Sequence, residues 1–149
     1  MLVAAAITGA TLDLHGLDPS DSQGDRNVLS VLDRLGCSVT TVDAGVRIQG
    51  PPDGALSGGE IDLNAMPDAL PALAVAGAGC TEPLQLINVP QAREKETDRI
   101  AVMAGELAKL GVAIRERPDG LVVSLSRIFG GRVSSHGDHR VAMALAVAG

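Results

Sequence analysis

Apolar residues along this chain recur with two periods, and the alternation between them lays out an order of elements. Ile100, Met103, Leu107 and Leu110 fall three or four apart, which predicts a helix over about 97–110. A similar run predicts a helix over about 26–35, and Gly36 and Gly111 stand where the two helices should close. Period-two segments predict strands at 12–16, 38–42, 46–49, 84–89, 112–116 and 121–125. Turns at 43–45 and 118–120 join the middle strands of each set into hairpins. Further strands at 61–63 and 132–135 enter Ala-rich helices over 69–78 and 141–149. Those two are apolar on nearly every face and are expected to be buried. Pro71 falls in a first turn if its helix begins near Asp68, where a missing N–H costs little.

The order of elements is a repeat. The segment 72–77, Ala-Leu-Ala-Val-Ala-Gly, returns unchanged at 144–149, an offset of 72. At that offset Gly58 and Gly59 become Gly130 and Gly131, and 12–17 aligns with 84–89. Residues 32–36 match 107–111 at an offset of 75, so a three-residue insertion separates the copies. Two copies of a unit of about 72 residues therefore fill the chain, which starts and stops partway through one. The expected architecture is α/β (α+β): repeated strand–helix–hairpin units, sheets packed around buried helices, and a single partial domain over 1–149.

Composition narrows the partners. The net charge is −6, which gives no global attraction to nucleic acid or an acidic membrane surface. One Phe and no Trp or Tyr leave no platform on which bases could stack. An anion site must then be a local basic cluster in an acidic protein. Cys37 and Cys80 are too far apart for a metal pattern and read as reduced core thiols of a cytoplasmic protein. The apolar opening over 1–9 lacks a basic lead, and no apolar run reaches the ~20 residues of a membrane span. No zinc motif, nucleophile elbow or phosphate-binding glycine loop occurs.

Charge at the helix starts is where chemistry can reside. Lys95 and Arg99 stand four apart beside the start of the helix over 97–110, where cations repel one another and oppose the dipole. An anion held by both cations and by unpaired first-turn N–H groups would make that arrangement favourable. Glu96 would then be a carboxylate beside a bound anion, as an acid–base residue is. His139 and Arg140 also place cationic groups at a helix start, and a solvated charged turn is the alternative for them. Asp68 fits either a stabilising acidic first turn or a site role, and Asp138 reads as an N-cap. At the repeat offset Asp68 is equivalent to Arg140, so packing about a pseudo-rotation axis would bring these loops together. His15 and His136 show no partner in sequence, and 115–117 reads as a solvated strand end.

These segments, taken together, resemble a known family. Arg93 to Arg99 (Arg-Glu-Lys-Glu-Thr-Asp-Arg), the Pro67-Asp68-Ala69 step, Gly137 to Arg140 (Gly-Asp-His-Arg) and the polar stretch 16–25 resemble the C-terminal domain of the 5-enolpyruvylshikimate-3-phosphate synthases. The resemblance runs along essentially the whole chain. It implies βαβαββ units related by pseudo-threefold symmetry, and transfer of the enolpyruvyl group of phosphoenolpyruvate to shikimate 3-phosphate with release of phosphate. No metal or organic cofactor is implied. By position, it makes Asp68 a candidate base near the attacking hydroxyl, Glu96 the acid–base residue at the phosphoenolpyruvate methylene, and Lys95 a shikimate 3-phosphate contact. Arg99 and Arg140 are implied to clamp phosphoenolpyruvate, with His139 beside them and Gln91 as a substrate contact. Gln91 departs from the usual Asn, and Glu94 from a usual apolar residue. The family's other domain, with its own substrate contacts, has no counterpart here, so the chain is expected to be half of a site with little turnover alone. A non-catalytic anion-binding or assembly module of the same fold is the alternative.

Overall fold

The computed structural model describes residues 1–16, 24–43 and 45–149, and the two sequence repeats are visible in it as two structural ones. The first runs β1 (Thr11–His15), α2 (Val28–Arg34), β2 (Ser38–Val42), β3 (Gly45–Gln49), β4 (Gly59–Asp62) and α3 (Leu70–Gly77). The second runs β5 (Leu84–Ile87), α4 (Arg99–Lys109), β6 (Ile114–Arg117), β7 (Gly120–Val123) and α5 (His139–Ala148). A helix that periodicity did not predict, α1 (Leu2–Thr8), precedes both. Most of the polar stretch resembling the family, residues 17–23, lies outside the described residues, as does Ala44 of the first hairpin turn.

Each repeat forms an antiparallel sheet in which the last hairpin strand lies between the other two, β1-β3-β2 and β5-β7-β6. The reason is local. Gly45 and Gly120 begin the central strands, and a Cβ at either would overlap the carbonyl oxygen opposite, that of Leu14 or of Leu86. Only glycine lets the backbones close to this distance. The strand after the first hairpin joins the neighbouring repeat: β4 pairs in parallel with β5, extending the sheet of the next repeat, with Ile61 opposite Leu86. The equivalent segment 132–135 is not a strand, since it has no such neighbour to pair with among the described residues.

The sheets are covered on one face. Val46 and Ile48 of β3 point inward while Arg47 and Gln49 stay exposed, and Arg47 pairs with Asp13 on the outer face. Inside, α3 packs between α1 and α5 and buries every residue except Ala72, as its all-round apolarity predicts. Pro71 does fall in its first turn, after a 3-10 turn at Pro67–Ala69. The matching expectation for α5 is met only in part. Val141, Ala144 and Leu145 are buried, but Met143 is 59% exposed, because α5 flanks the helix trio and α3 occupies its centre. Cys37 and Cys80 are buried free thiols, and burial, with Cys37 nearby, pushes the Cys80 thiol up to about 11. No described helix is long and apolar enough to cross a membrane.

Candidate active site

The starts of α3, α4 and α5 meet, and their charged residues form one cluster around Arg99. Arg99 opens α4 yet is only 1% exposed, because α4 packs on both α3 and α5. Its Nε donates to Asp138 Oδ2 at 2.7 Å, Nη1 to Asp68 Oδ1 at 2.7 Å and Nη2 to Glu96 Oε2 at 2.5 Å. Asp68 also faces Lys95 Nζ at 3.5 Å and Arg140 Nη2 at 2.8 Å, while His139 Nδ1 lies 3.7 Å from Glu96 Oε1. Six of the seven residues singled out in the sequence therefore converge. The seventh, Gln91, donates instead to the Asn64 carbonyl at 3.1 Å in the loop after β4.

The geometry corrects the electrostatic premise. Lys95 lies before the helix, as expected, in extended backbone, but α4 begins at Arg99 after the cap residue Asp98, two residues later than the expected start at 97. Some of the helix-start amides are already taken as well. Asp98 accepts from Ala101 N, and Asp138 accepts from Arg140 N and Val141 N. The cations are balanced by carboxylates of the protein itself, Asp68, Glu96 and Asp138. Asp138 is thus more than a cap. It is wholly buried and joins the starts of α4 and α5 through Arg99, a role that no local pattern announces.

Burial raises the Asp68 carboxyl, but the bond from Arg99 and the charges of Arg140 and Lys95 outweigh it and hold the group below the usual Asp range. Asp138 is lowered in the same way, by Arg99 and by two backbone N–H bonds acting against burial. Burial opposes the charge on Arg99, and its bonds to Asp138 and Asp68 more than restore it. Asp68 and Arg140 also line a groove of about 430 Å³, whose other lining residues are apolar and come mainly from α1, α3 and α5, among them Leu2, Pro71 and Met143. For an anion, the cluster around Arg99 offers the side chains that stay open to solvent. Lys95 and Arg140, each about a third exposed, and the exposed His139 are the groups it can reach.

A second arginine shapes the loop that carries Lys95 and Glu96. Arg93 Nε donates to the Pro118 carbonyl and Nη2 to the Arg117 carbonyl, while Nη1 meets Asp98 Oδ2 at 2.8 Å. Glu116 completes the set at 2.8 Å. The 115–117 segment is the exposed strand end expected from sequence, and through Glu116 and the Arg117 carbonyl it also anchors this loop.

The chain superposes on EPSP synthase from Acinetobacter baumannii with a TM-score of 0.81 at 29% identity, covering 99% of this chain and 37% of that one. The enolpyruvyl transferase NikO from Streptomyces tendae shares the fold at a TM-score of 0.69 and 22% identity, with 99% of this chain and 34% of that one covered. The fold class is therefore that of the enolpyruvyl transferases. More narrowly, the chain belongs to the EPSP synthase (3-phosphoshikimate 1-carboxyvinyltransferase) family, whose model matches residues 1–149. The 3-phosphoshikimate 1-carboxyvinyltransferase of Acetivibrio thermocellus is 51% identical over 147 residues, 99% of this chain and 34% of that protein. That of Nitrosopumilus maritimus is 37% identical over 150 residues, all of this chain and 35% of that protein. The chain spans about a third of the length of these relatives.

Proposed function

We propose that this chain supplies one wall of a site that transfers the enolpyruvyl group of phosphoenolpyruvate to shikimate 3-phosphate, the facing wall belonging to a separate N-terminal half. The observation that carries the reading is the meeting of Asp68, Lys95, Glu96, Arg99, His139 and Arg140 at three helix starts. An addition–elimination on two phosphorylated substrates needs fixed cations together with carboxylates that move protons, and this cluster holds both. Glu96 serves as the acid–base group at the methylene carbon. Lys95 and Arg140, with His139, take the substrate anions, and Gln91 is a further substrate contact.

Arg99 and Asp68 need a rearrangement for their roles. Arg99 has its nitrogens on carboxylates, so it reaches phosphoenolpyruvate only as Glu96 or Asp68 lets go. Asp68, held low by three cations, is a weak base as it stands. When substrate anions compete for Arg140 and Lys95, its pKa rises and it becomes able to accept the hydroxyl proton.

The test is reconstitution. Phosphate release from phosphoenolpyruvate and shikimate 3-phosphate is measured for the chain alone, for an N-terminal half of a relative alone, and for their mixture. Turnover in the mixture only is expected, with Glu96→Gln lowering it by about 10²–10⁴-fold. Silence from a mixture in which both halves are folded and associated defeats the proposal. The ion pairs that already satisfy the cluster favour one rival, a purely structural junction of three helices. That rival expects no amide shifts at 95–99 or 139–140 with millimolar shikimate 3-phosphate.

A further inference from the structure

Glu106 has no part in the reading above, yet it is a buried carboxylate, and it lies on α4 with Arg99. It is 3% exposed, two helical turns beyond Arg99 on the same face. Its Oε1 meets His136 Nε2 at 2.8 Å and Lys109 Nζ at 2.7 Å, and its Oε2 accepts the Ser134 backbone N–H at 3.0 Å. The bonds from Lys109 and His136 pull the carboxyl down to about 2 against the effect of burial. A solvated surface pair with Lys109 would need neither the burial nor the backbone bond.

The segment it holds is kinked. His136 has a φ of 52°, a left-handed conformation unusual for a side chain larger than glycine. The kink is closed by His136 N donating to Ser134 Oγ at 3.2 Å and Asp138 N donating to the Ser135 carbonyl at 3.0 Å. Directly after it, Asp138 reaches Arg99 and Arg140 reaches Asp68. The segment 134–138 is therefore fastened to α4 at two points, Glu106 and Arg99, spaced roughly 10 Å along the helix.

We propose that Glu106 is a positioning residue: it fixes the 134–136 kink so that Asp138 engages Arg99 and Arg140 is presented to Asp68. The value of this to catalysis rests on the transfer reading, but the positioning itself does not.

The experiment reads side-chain 15N signals of the chain. Arg99 Nε–H, bonded to Asp138, is expected to exchange slowly with solvent in the wild type. In Glu106→Gln it is expected to exchange at least tenfold faster, together with the Val141 amide. Arg93 Nε–H, bonded to the Pro118 carbonyl at 2.9 Å, serves as an internal control and should be unchanged. Unaltered Arg99 exchange in a folded Glu106→Gln variant overturns the proposal. So does parallel loss of the Arg93 signal, which marks general loosening. Should Glu106→Gln not fold, His136→Asn carries the same comparison, because asparagine tolerates the left-handed backbone while giving up the ring contact. At least threefold faster Arg99 exchange is then expected, and no change overturns the idea. Phosphoenolpyruvate titration of the wild type is read separately: missing shifts at 95–99 and 139–140 count against the transfer site, and the exchange comparison still decides the positioning role.

Discussion

Arg99 sits among Asp68, Glu96 and Asp138 with 1% of its surface exposed, and the cost of removing it follows from what it leaves behind. Arg99→Ala strands Asp138, fully buried, with no cation on it. A loss of about 3–5 kcal/mol in urea denaturation is expected, and a loss below ~1 kcal/mol would show that the cluster does not join the helices. Arg99→Lys is expected to be damaging as well, since one ammonium cannot reach carboxylates on three sides. The sequence marks Arg99 as an oddly placed cation at a helix start, and that much is correct. It does not reveal the partners, because Asp68 and Asp138 are 31 and 39 residues away and only the packing of three helices brings them in. His136 was silent in sequence for the same reason: Glu106 is 30 residues distant.

Among the elements, α4 shows how a loop is fixed by its helix. Asp98 divides its carboxylate between the amide of Ala101 and Arg93 Nη1, so the cap also ties the loop carrying Lys95 and Glu96 to the β6–β7 turn. Asp98→Ala should cost more than the ~1 kcal/mol of an ordinary cap, measured as a shift in the unfolding midpoint. Arg93→Lys should lose part of this anchoring with α4 intact, which circular dichroism would show as unchanged helix content. In the hairpins, Gly120→Ala forces a Cβ onto the Leu86 carbonyl, and a destabilisation of at least about 2 kcal/mol is expected. Strands and long helices were legible because their periods persist for several residues. The seven-residue α1 has no polar face to give it a period, and 132–135 reads as a strand although a strand also needs a neighbour.

Across the whole molecule, acid should loosen the three helices together. Asp68, Asp138 and Glu106 all have folded-state pKa values below their ordinary ones. Each contributes stability that is present above the ordinary carboxylate range and is lost as pH falls through the folded value. For Glu106 that window runs from its ordinary 4.5 down to about 2. Urea midpoints are expected to fall as pH drops from 5 towards 3, and Glu106→Gln should flatten the slope. A midpoint that stays level over that range contradicts the assignment. The exact return of 72–77 at 144–149 makes the repeat legible from sequence, and with it the architecture. The exchange of β4 between repeats is invisible there, because a strand's own residues do not record which sheet it joins.

That exchange sets the unit of duplication out of phase with the unit of cooperativity. A copy cut out by sequence, from β1 to α3, carries β4 away from β5, the strand that holds it. A cleavage in the chain between β4 and α3 should accordingly leave two pieces that stay together until denatured, because the first piece keeps a strand woven into the sheet of the second.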